Sequence, residues 1–183
     1  RSFFHPEQYE KHGKSIASVR AGNVIGGGDW ALDRIIPDCI KALEAGKEIE
    51  IRSPKAIRPW QHVLEPLSGY MLLALRMWKE PIKYCEGWNF GPRAESISTV
   101  WDVATKVVEN YGSGQLRDLS DPNTLHEAKL LMLDISKAKF MLGWESRMDI
   151  NQTVALTVDW YKRYQEESVY SICVNQIADF VCK

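Results

Sequence analysis

The sequence predicts an α/β fold, and three observations lead to this prediction. Short apolar runs typical of strands alternate along the chain with longer segments whose apolar residues recur at helical spacing. Hydrophobic residues make up 45% and charged residues 26% of the 183 residues, which is the balance of a globular protein. Every apolar run stays well below the ~20 residues that a membrane helix needs, so we expect no membrane partner.

Five segments are predicted to be extended, because β-branched or aromatic residues fill them or alternate with polar ones. They are 15–20, 49–52, 61–63, 87–90 and 130–133. The first runs directly into three consecutive glycines at 26–28, which make the following loop conformationally permissive.

Three long helices are predicted from apolar residues spaced three and four positions apart. They cover 32–45, 66–78 and 151–164. Pro37 lies inside the first of them, where we expect it either to kink the helix or to mark a second start.

Cap residues predict two further helices and the loops around them. Ser98 is the predicted N-cap of a helix that ends near Gly112, and Asp134 or Ser136 caps a short helix that ends at Gly143. Residues 112–123 are polar and contain Gly, Pro and Asp, so they are predicted to be a loop. The tail from Ser168 is expected to be either a docked helix or a loose end.

Charge and cysteine content exclude several classes of function. The formal net charge is −1, so no basic field would attract nucleic acid or a membrane surface. The four cysteines form no Cys-x-x-Cys pair, which argues against a zinc or redox site. Because the chain starts without a secretion signal, we expect reduced thiols in a cytoplasmic protein that has no metal site.

The run from Gly26 to Ala31 formally fits the dinucleotide motif G-x-G-x-x-[GA], since it follows a strand and precedes a helix. We interpret the match as coincidental. Trp30 occupies the place where a dinucleotide needs open space, and Glu48 and Glu50 are poorly placed to serve as the ribose-binding acid. Two explanations for the glycines remain open. The loop either contacts a phosphate or forms a tight turn that needs positive φ angles.

Arg58-Pro59-Trp60-Gln61-His62 is the strongest cluster of charged and aromatic residues next to a predicted strand. A guanidinium group suits bidentate phosphate binding, while stacking of Arg58 on Trp60 is the alternative. His62 by itself is more typical of a hydrogen-bonded core histidine than of a catalytic one. Asn89, between two aromatic residues, is predicted to be buried and therefore hydrogen-bonded, usually to backbone.

Four motifs together resemble one known family, the extended short-chain dehydrogenases/reductases. The motifs are Arg20-Ala21-Gly22-Asn23-Val24-Ile25-Gly26, Arg58-Pro59-Trp60-Gln61-His62-Val63, Trp88-Asn89-Phe90-Gly91, and Leu133-Asp134 followed by Ser136-Lys137-Ala138 and Leu142-Gly143-Trp144. The resemblance covers roughly residues 1–165, which correspond to the C-terminal half of the proteins in this family. Within it, the first two motifs and the residues after them resemble the sugar-nucleotide 4,6-dehydratases that act on CDP-glucose.

The resemblance implies a fold and a division of the chain. The expected architecture is the end of a Rossmann-type domain plus the smaller mixed α/β substrate-binding domain. Residues 1–25 would be the last part of the NAD-binding domain, and 26–168 would mainly bind the sugar nucleotide, with some segments returning to the Rossmann sheet. Residues 169–183 would form a C-terminal tail.

The resemblance also implies site residues. Asn23 and Arg58 would bind the diphosphate, and the segment 49–52, with Ile51 and Arg52, would line the pocket for the base. Ala21 and Gly22 would lie near the nicotinamide of NAD, the expected cofactor. The remaining substrate-binding residues implied by the resemblance are Glu127, Asn89 and His126.

The sequence departs from the family pattern in two motifs. G-x-x-G-x-x-G does not occur, and no tyrosine has a lysine four positions later. We expect both elements to precede Arg1, so this chain is predicted to contain no catalytic residue and to bind a nucleotide sugar without turnover. Strand 15–20 would then be an open sheet edge, prone to association. The full-length protein is expected to be a homo-oligomer.

Two other interpretations remain open. The chain is either a non-catalytic module that binds a nucleotide sugar or a protein partner, or part of a same-family dehydratase, epimerase or reductase for another nucleotide. Base choice would depend on a few contacts near residues 49–58.

Overall fold

A computed structural model describes residues 3–121 and 131–182 of the protein, and in that part helices and short strands alternate. The helices are α1 (Tyr9–His12), α2 (Ile35–Glu44), α3 (Leu64–Lys79), α4 (Val100–Tyr111), α5 (Ile150–Arg163) and α6 (Val169–Cys182). The strands are β1 (Ser18–Ala21), β2 (Asn23–Ile25), β3 (Ile49–Ile51), β4 (Ile57–Arg58), β5 (Trp60–His62), β6 (Gly87–Phe90), β7 (Ser98–Thr99) and β8 (Leu116–Asp118). Short 3₁₀ turns cover Pro6–Gln8 and Ala94–Ser96, and a π-helical turn covers Ala138–Leu142. The predicted α/β class is confirmed.

The strands pair two by two, and three of the four pairs are parallel. β1 pairs with β6, β2 with β5 and β3 with β8 in parallel, while β4 and β7 are antiparallel. Parallel pairs need crossover connections, and helices supply them here: α2 and α3 lie between β1 and β6 in the chain.

Two clusters of buried apolar side chains fill the interior. The cluster that we call the helical core lies among α2, α4, α5, α6 and β3; its buried members include Ile36, Cys39, Ile40, Ile49, Ile51, Val103, Val107, Val154, Val158 and Ile172. The cluster that we call the sheet core lies between β6, α3 and the π-helical turn; its buried members are Leu73, Tyr84, Trp88, Phe90, Ala138, Leu142 and Trp144.

The long helices match the periodicity of their apolar residues, with two local differences. Pro37 neither kinks α2 nor starts a second helix. It lies in the first turn of α2, where a missing N–H costs nothing because those N–H groups have no partner within a helix. The tail is a docked helix: α6 buries Ile172, Gln176 and Phe180, and the Gln176 side chain donates to the Leu156 carbonyl at 2.9 Å.

Three predictions made from local sequence are wrong. Ser98 does not cap α4: it is a buried residue of β7, and the adjacent Thr99 is the N-cap. The predicted loop 112–123 contains strand β8, which is held by pairing with β3. Residues 131–133, the described part of the strand predicted at 130–133, form no strand, although the Leu131 N–H donates to the Ile57 carbonyl at 3.3 Å.

None of the helices in the described ranges combines the length and the apolar character required to cross a membrane.

Candidate functional site

The carboxyl ends of β1 and β6 meet at Gly22, directly after β1. The Gly22 N–H donates to the Phe90 carbonyl at 3.2 Å, and the next N–H, of Asn23, donates to the Pro59 carbonyl at 2.9 Å. A Cβ at position 22 would collide with the Pro59 carbonyl oxygen, so close packing by itself requires glycine there. Ala21 and Gly22 thus lie at the edge of parallel strands where open α/β sheets bind ligands.

Asn23 and Arg58 lie on neighbouring segments. Asn23 is half-buried at the start of β2 and pairs in register with Trp60 of β5. Arg58 is half-buried in β4, and its Nη1 donates to the Ile57 carbonyl at 2.9 Å. Because Asn23 is hydrogen-bonded to Pro59, the residue after Arg58, the two backbones are adjacent.

A cavity of about 260 Å³ opens beside Pro59. Its walls are the loop after β6 and the segment before the π-helical turn, and they include Pro59, Pro92, Arg93, Leu133, Asp134 and Ser136. Asn23 and Arg58 do not occur among the described residues that line it. The backbones of Asn23 and Arg58 are thus adjacent, but neither residue lines this cavity.

Two side chains hold the walls of this cavity in place. The Asn89 side-chain amide donates to the Asp134 carbonyl at 3.1 Å, which is the backbone partner expected for this residue. The Arg93 Nε donates to the Ser146 carbonyl at 2.7 Å, and Glu145 lies 3.6 Å from the same nitrogen. The predicted ribose contact Glu127 and its neighbour His126 lie outside the described residues.

The two predicted base-pocket residues, at the end of β3 and directly after it, have different environments. Ile51 is 2% exposed and belongs to the helical core, so its side chain packs inside the protein. The Arg52 guanidinium is exposed and lies 2.5 Å from the Asp33 carboxylate. Asp33 has φ 59°, the left-handed conformation that is uncommon outside glycine.

The glycine-rich loop packs on an aromatic ring. At position 27 a Cβ would overlap the Trp160 indole of α5, and Gly28 has φ 81°. Helix α2 begins only at Ile35, so no helix N-terminus follows the glycines directly, as a dinucleotide fingerprint requires. This geometry supports our interpretation that the motif match at 26–31 is coincidental.

Buried polar groups concentrate where β5 meets α3. His62 is 1% exposed, and burial lowers its pKa to about 4, so the ring is neutral at pH 7. Its Nδ1 accepts from the Leu64 N–H at 3.3 Å, which confirms the prediction of a core histidine. Sequence reasoning did not single out Glu65, whose fully buried Oε1 accepts from the N–H groups of Arg147 and Met148 at 2.8 and 2.7 Å.

Glu65 has no local sequence signal for this role, because its partners lie more than eighty positions away in the chain. Burial raises the pKa of its carboxyl group, and the two backbone N–H groups partly oppose that rise. The carboxyl group ties the start of α3 to the segment whose Ser146 carbonyl holds Arg93.

Comparison with known proteins finds sequence similarity to a curated enzyme over nearly the whole chain. No family model matches it. It is 48% identical over 181 residues to CDP-glucose 4,6-dehydratase of Salmonella typhimurium, a match that covers 98% of this chain and 50% of the relative. The chain thus spans about half the length of the curated relative and corresponds to its C-terminal part.

Solved structures share the fold at low sequence identity. A dTDP-glucose 4,6-dehydratase from Bacillus anthracis, in complex with NAD, is 18% identical with a TM-score of 0.70, and the match covers 90% of this chain and 50% of that one. A UDP-glucose 4-epimerase from Thermotoga maritima, with UDP-glucose, is 20% identical with the same TM-score and the same coverage. The chain therefore shares its fold with these enzymes, and its sequence is similar to the C-terminal part of CDP-glucose 4,6-dehydratase.

Proposed function

We propose that this chain is the sugar-nucleotide-binding part of an NAD-dependent CDP-glucose 4,6-dehydratase, which converts CDP-glucose to CDP-4-keto-6-deoxyglucose. The observation that supports this most strongly is the 48% identity to a curated enzyme of that name over 181 residues. The proposal assigns no catalytic residue to the chain, since it contains neither G-x-x-G-x-x-G nor Tyr-x-x-x-Lys. The chain by itself should bind substrate without turnover, and the whole enzyme should be a cytoplasmic homo-oligomer.

The diphosphate would be bound by Asn23 and Arg58. Their adjacent backbones support this assignment, because an amide and a guanidinium group on neighbouring segments can donate to the same anion. The pair would hold the sugar in place near the carboxyl ends of β1 and β6, where Ala21 and Gly22 lie. NAD supplies hydride acceptance and return in such a reaction, and Gly22 allows a close backbone approach at this edge.

Recognition of the base would depend on the end of β3. Arg52 is exposed there and Ile51 fixes the strand in the helical core, so the Arg52 side chain is the accessible group of the pair. The family resemblance adds Glu127 at the ribose and His126 beside it, and gives Asn89 a part in substrate binding. The hydrogen bond from Asn89 to the Asp134 carbonyl favours an indirect part, through the cavity wall.

Calorimetry of this chain with CDP, UDP, dTDP and GDP tests the proposal. We expect CDP to bind most tightly and CDP-glucose to bind at least as well as CDP. Tighter binding of UDP or dTDP would instead favour an enzyme for another sugar nucleotide, as in the structural relatives named above. Heat from none of the nucleotides would contradict the proposed function.

Arg58→Ala should weaken CDP binding by about 2–4 kcal/mol, because it removes a charged partner from the diphosphate. Arg163→Ala is the matched control: it also removes a guanidinium group, one that pairs with Asp159 and Glu167 on the surface of α5. Titration of both variants with CDP measures the difference. Equal affinity of Arg58→Ala and the unaltered chain would show that Arg58 has only a packing role.

A non-catalytic binding module is the second candidate, and the absence of the two catalytic motifs from the sequence favours it. The amino-acid sequence encoded upstream of Arg1 would distinguish between these two candidate functions. A Rossmann domain with both motifs supports the dehydratase, and an upstream sequence without them supports the module.

A further inference from the structure

The segment 26–34, between β2 and α2, contains no helix or strand but is attached to the rest of the protein at several points. It starts three residues after Asn23 and contains Asp33, the partner of Arg52. It therefore connects two of the residues that the proposed function assigns to the nucleotide. Its conformation determines where Asp33, and with it Arg52, is placed.

Aromatic residues of α5 form the surface on which this segment lies. Gly27 lies against the Trp160 ring so closely that no side chain fits between them. The Trp30 ring makes an edge contact with Tyr161 and a tilted contact with Tyr164, the C-cap of α5, at centroid distances of 5.2 and 5.3 Å. Trp30 is thus fixed from one side by α5, although 39% of its surface is exposed.

Tyr161 adds a hydrogen bond in the middle of the segment. Its hydroxyl group donates to the Asp29 carbonyl at 2.6 Å, and the ring is 3% exposed. The Asp29 carboxylate in turn accepts from the Ala31 N–H at 3.0 Å and from the Arg34 guanidinium at 3.1 Å. Burial raises the pKa of Tyr161 to about 12, so the hydroxyl group stays a donor at neutral pH.

The support beneath Tyr161 is rigid. Helix α5 starts with a capping box in which Asp149 and Gln152 bond to each other's backbone N–H, and its Val154 and Val158 are fully buried in the helical core. A second attachment comes from α2, where the Lys41 ammonium donates to the Trp30 carbonyl at 2.8 Å. Through its hydrogen bond to Asp29, Tyr161 attaches the segment 26–34, which has no strand pairing or helix of its own, to α5.

We propose that Tyr161 is a positioning residue for nucleotide binding, which acts by fixing the segment 26–34 and thereby the Asp33–Arg52 pair. This inference rests on the proposed function, since it requires Arg52 to contact the bound nucleotide. Tyr161 itself does not touch the ligand.

Calorimetric titration of this chain with CDP tests the inference through Tyr161→Phe, which keeps the ring and removes the hydroxyl group. We expect affinity to fall about three- to tenfold, the loss of one hydrogen bond. The control is Tyr111→Phe, the same substitution at the end of α4, which should leave affinity unchanged. Melting temperatures of both variants check that each is folded during the titration.

A double-mutant cycle with Arg52→Ala separates positioning from general stabilisation. If Tyr161 acts through Arg52, Tyr161→Phe should cause no further loss of CDP affinity in the Arg52→Ala background. An equal loss in both backgrounds would overturn the inference, as would an unchanged affinity of Tyr161→Phe. Absence of CDP binding by the unaltered chain would overturn the proposed function, and this inference with it.

Discussion

Helices α2, α4 and α5 around the helical core expose no large apolar side chain, whereas α3, which packs on the sheet core, exposes several. Ile40, Val154 and Val158 of the helical core are 0% exposed. On α3, which packs on the sheet core, Leu75 is 51% and Trp78 88% exposed. A group of exposed apolar side chains of this kind is typical of an interaction surface.

The same contrast holds at strand edges and helix ends. Within the described ranges β1 pairs on one side, with β6, and an apolar groove of about 400 Å³ separates β1 from α3. Helices α4 and α5 start with capping boxes, while α3 starts after Val63 without a side-chain cap. Two of the helices around the helical core thus have capped N-termini, although α2 starts without a side-chain cap, as α3 does.

Truncation of one aliphatic side chain in each region should give the largest difference. Ile40→Ala should lower the free energy of unfolding by about 2–5 kcal/mol, because it leaves a cavity in the helical core. Leu75→Ala should change it by less than about 0.5 kcal/mol, because half of that side chain is already exposed. Urea unfolding of both variants measures this. A large loss from Leu75→Ala would mean that the exposed face of α3 is covered in solution, for instance by self-association.

Acid should weaken the junction between the two regions through His62. Its pKa is about 4 in the folded protein and near 6.5 in the unfolded chain, so the unfolded state binds more protons between these values. Stability should therefore decrease by about 2–3 kcal/mol as the pH falls from 7 to 4.5. Glu65 acts in the opposite direction, because its raised pKa favours the folded state at low pH.

Urea unfolding at pH 7 and pH 4.5 checks the His62 prediction. His62→Gln, which cannot take up a proton, should lose less stability over this range than the unaltered chain. Equal losses would show that another group causes the acid sensitivity.

Removal of one cap should give the smallest effect. The Asp149 carboxylate accepts from the Gln152 N–H at 2.8 Å and is exposed, so Asp149→Ala should cost about 0.5–2 kcal/mol. Thermal unfolding measures the loss, and Asp149→Asn, which keeps the acceptor, should recover most of it. If Asp149→Asn is as unstable as Asp149→Ala, the hydrogen bond to the backbone is not the source of the effect.

Helices were predicted from the sequence more accurately than strands. The periodic apolar residues of α2, α3 and α5 are local information, and each helix lies within a few residues of its prediction. Strand β8 carries no such information: Leu116 is half-buried, while Arg117 and Asp118 are exposed, and pairing with β3 makes the segment extended. For α4 the sequence did hold the correct signal, since Thr99 and Asp102 form the capping box.

The candidate site was predictable only where a motif carried it. The binding roles of Asn23 and Arg58 came from a resemblance along the chain and stay predictions; the structure shows that their backbones are adjacent. Glu65 and Tyr161 were missed, because each acts on a segment distant in sequence: Tyr161 contacts Asp29, 132 positions away. Contacts of that kind depend on tertiary packing, so no local spacing of residues predicts them.

The pairing of β1 with β6 has a consequence for biosynthesis. Ser18 lies opposite Gly87, so β1 leaves the ribosome about 70 residues ahead of its partner. At roughly 5–20 residues per second, translation leaves the nascent β1 without its neighbour for about 4 to 14 seconds. During that interval Val19 of β1 lacks Trp88, the residue opposite it in the folded pair.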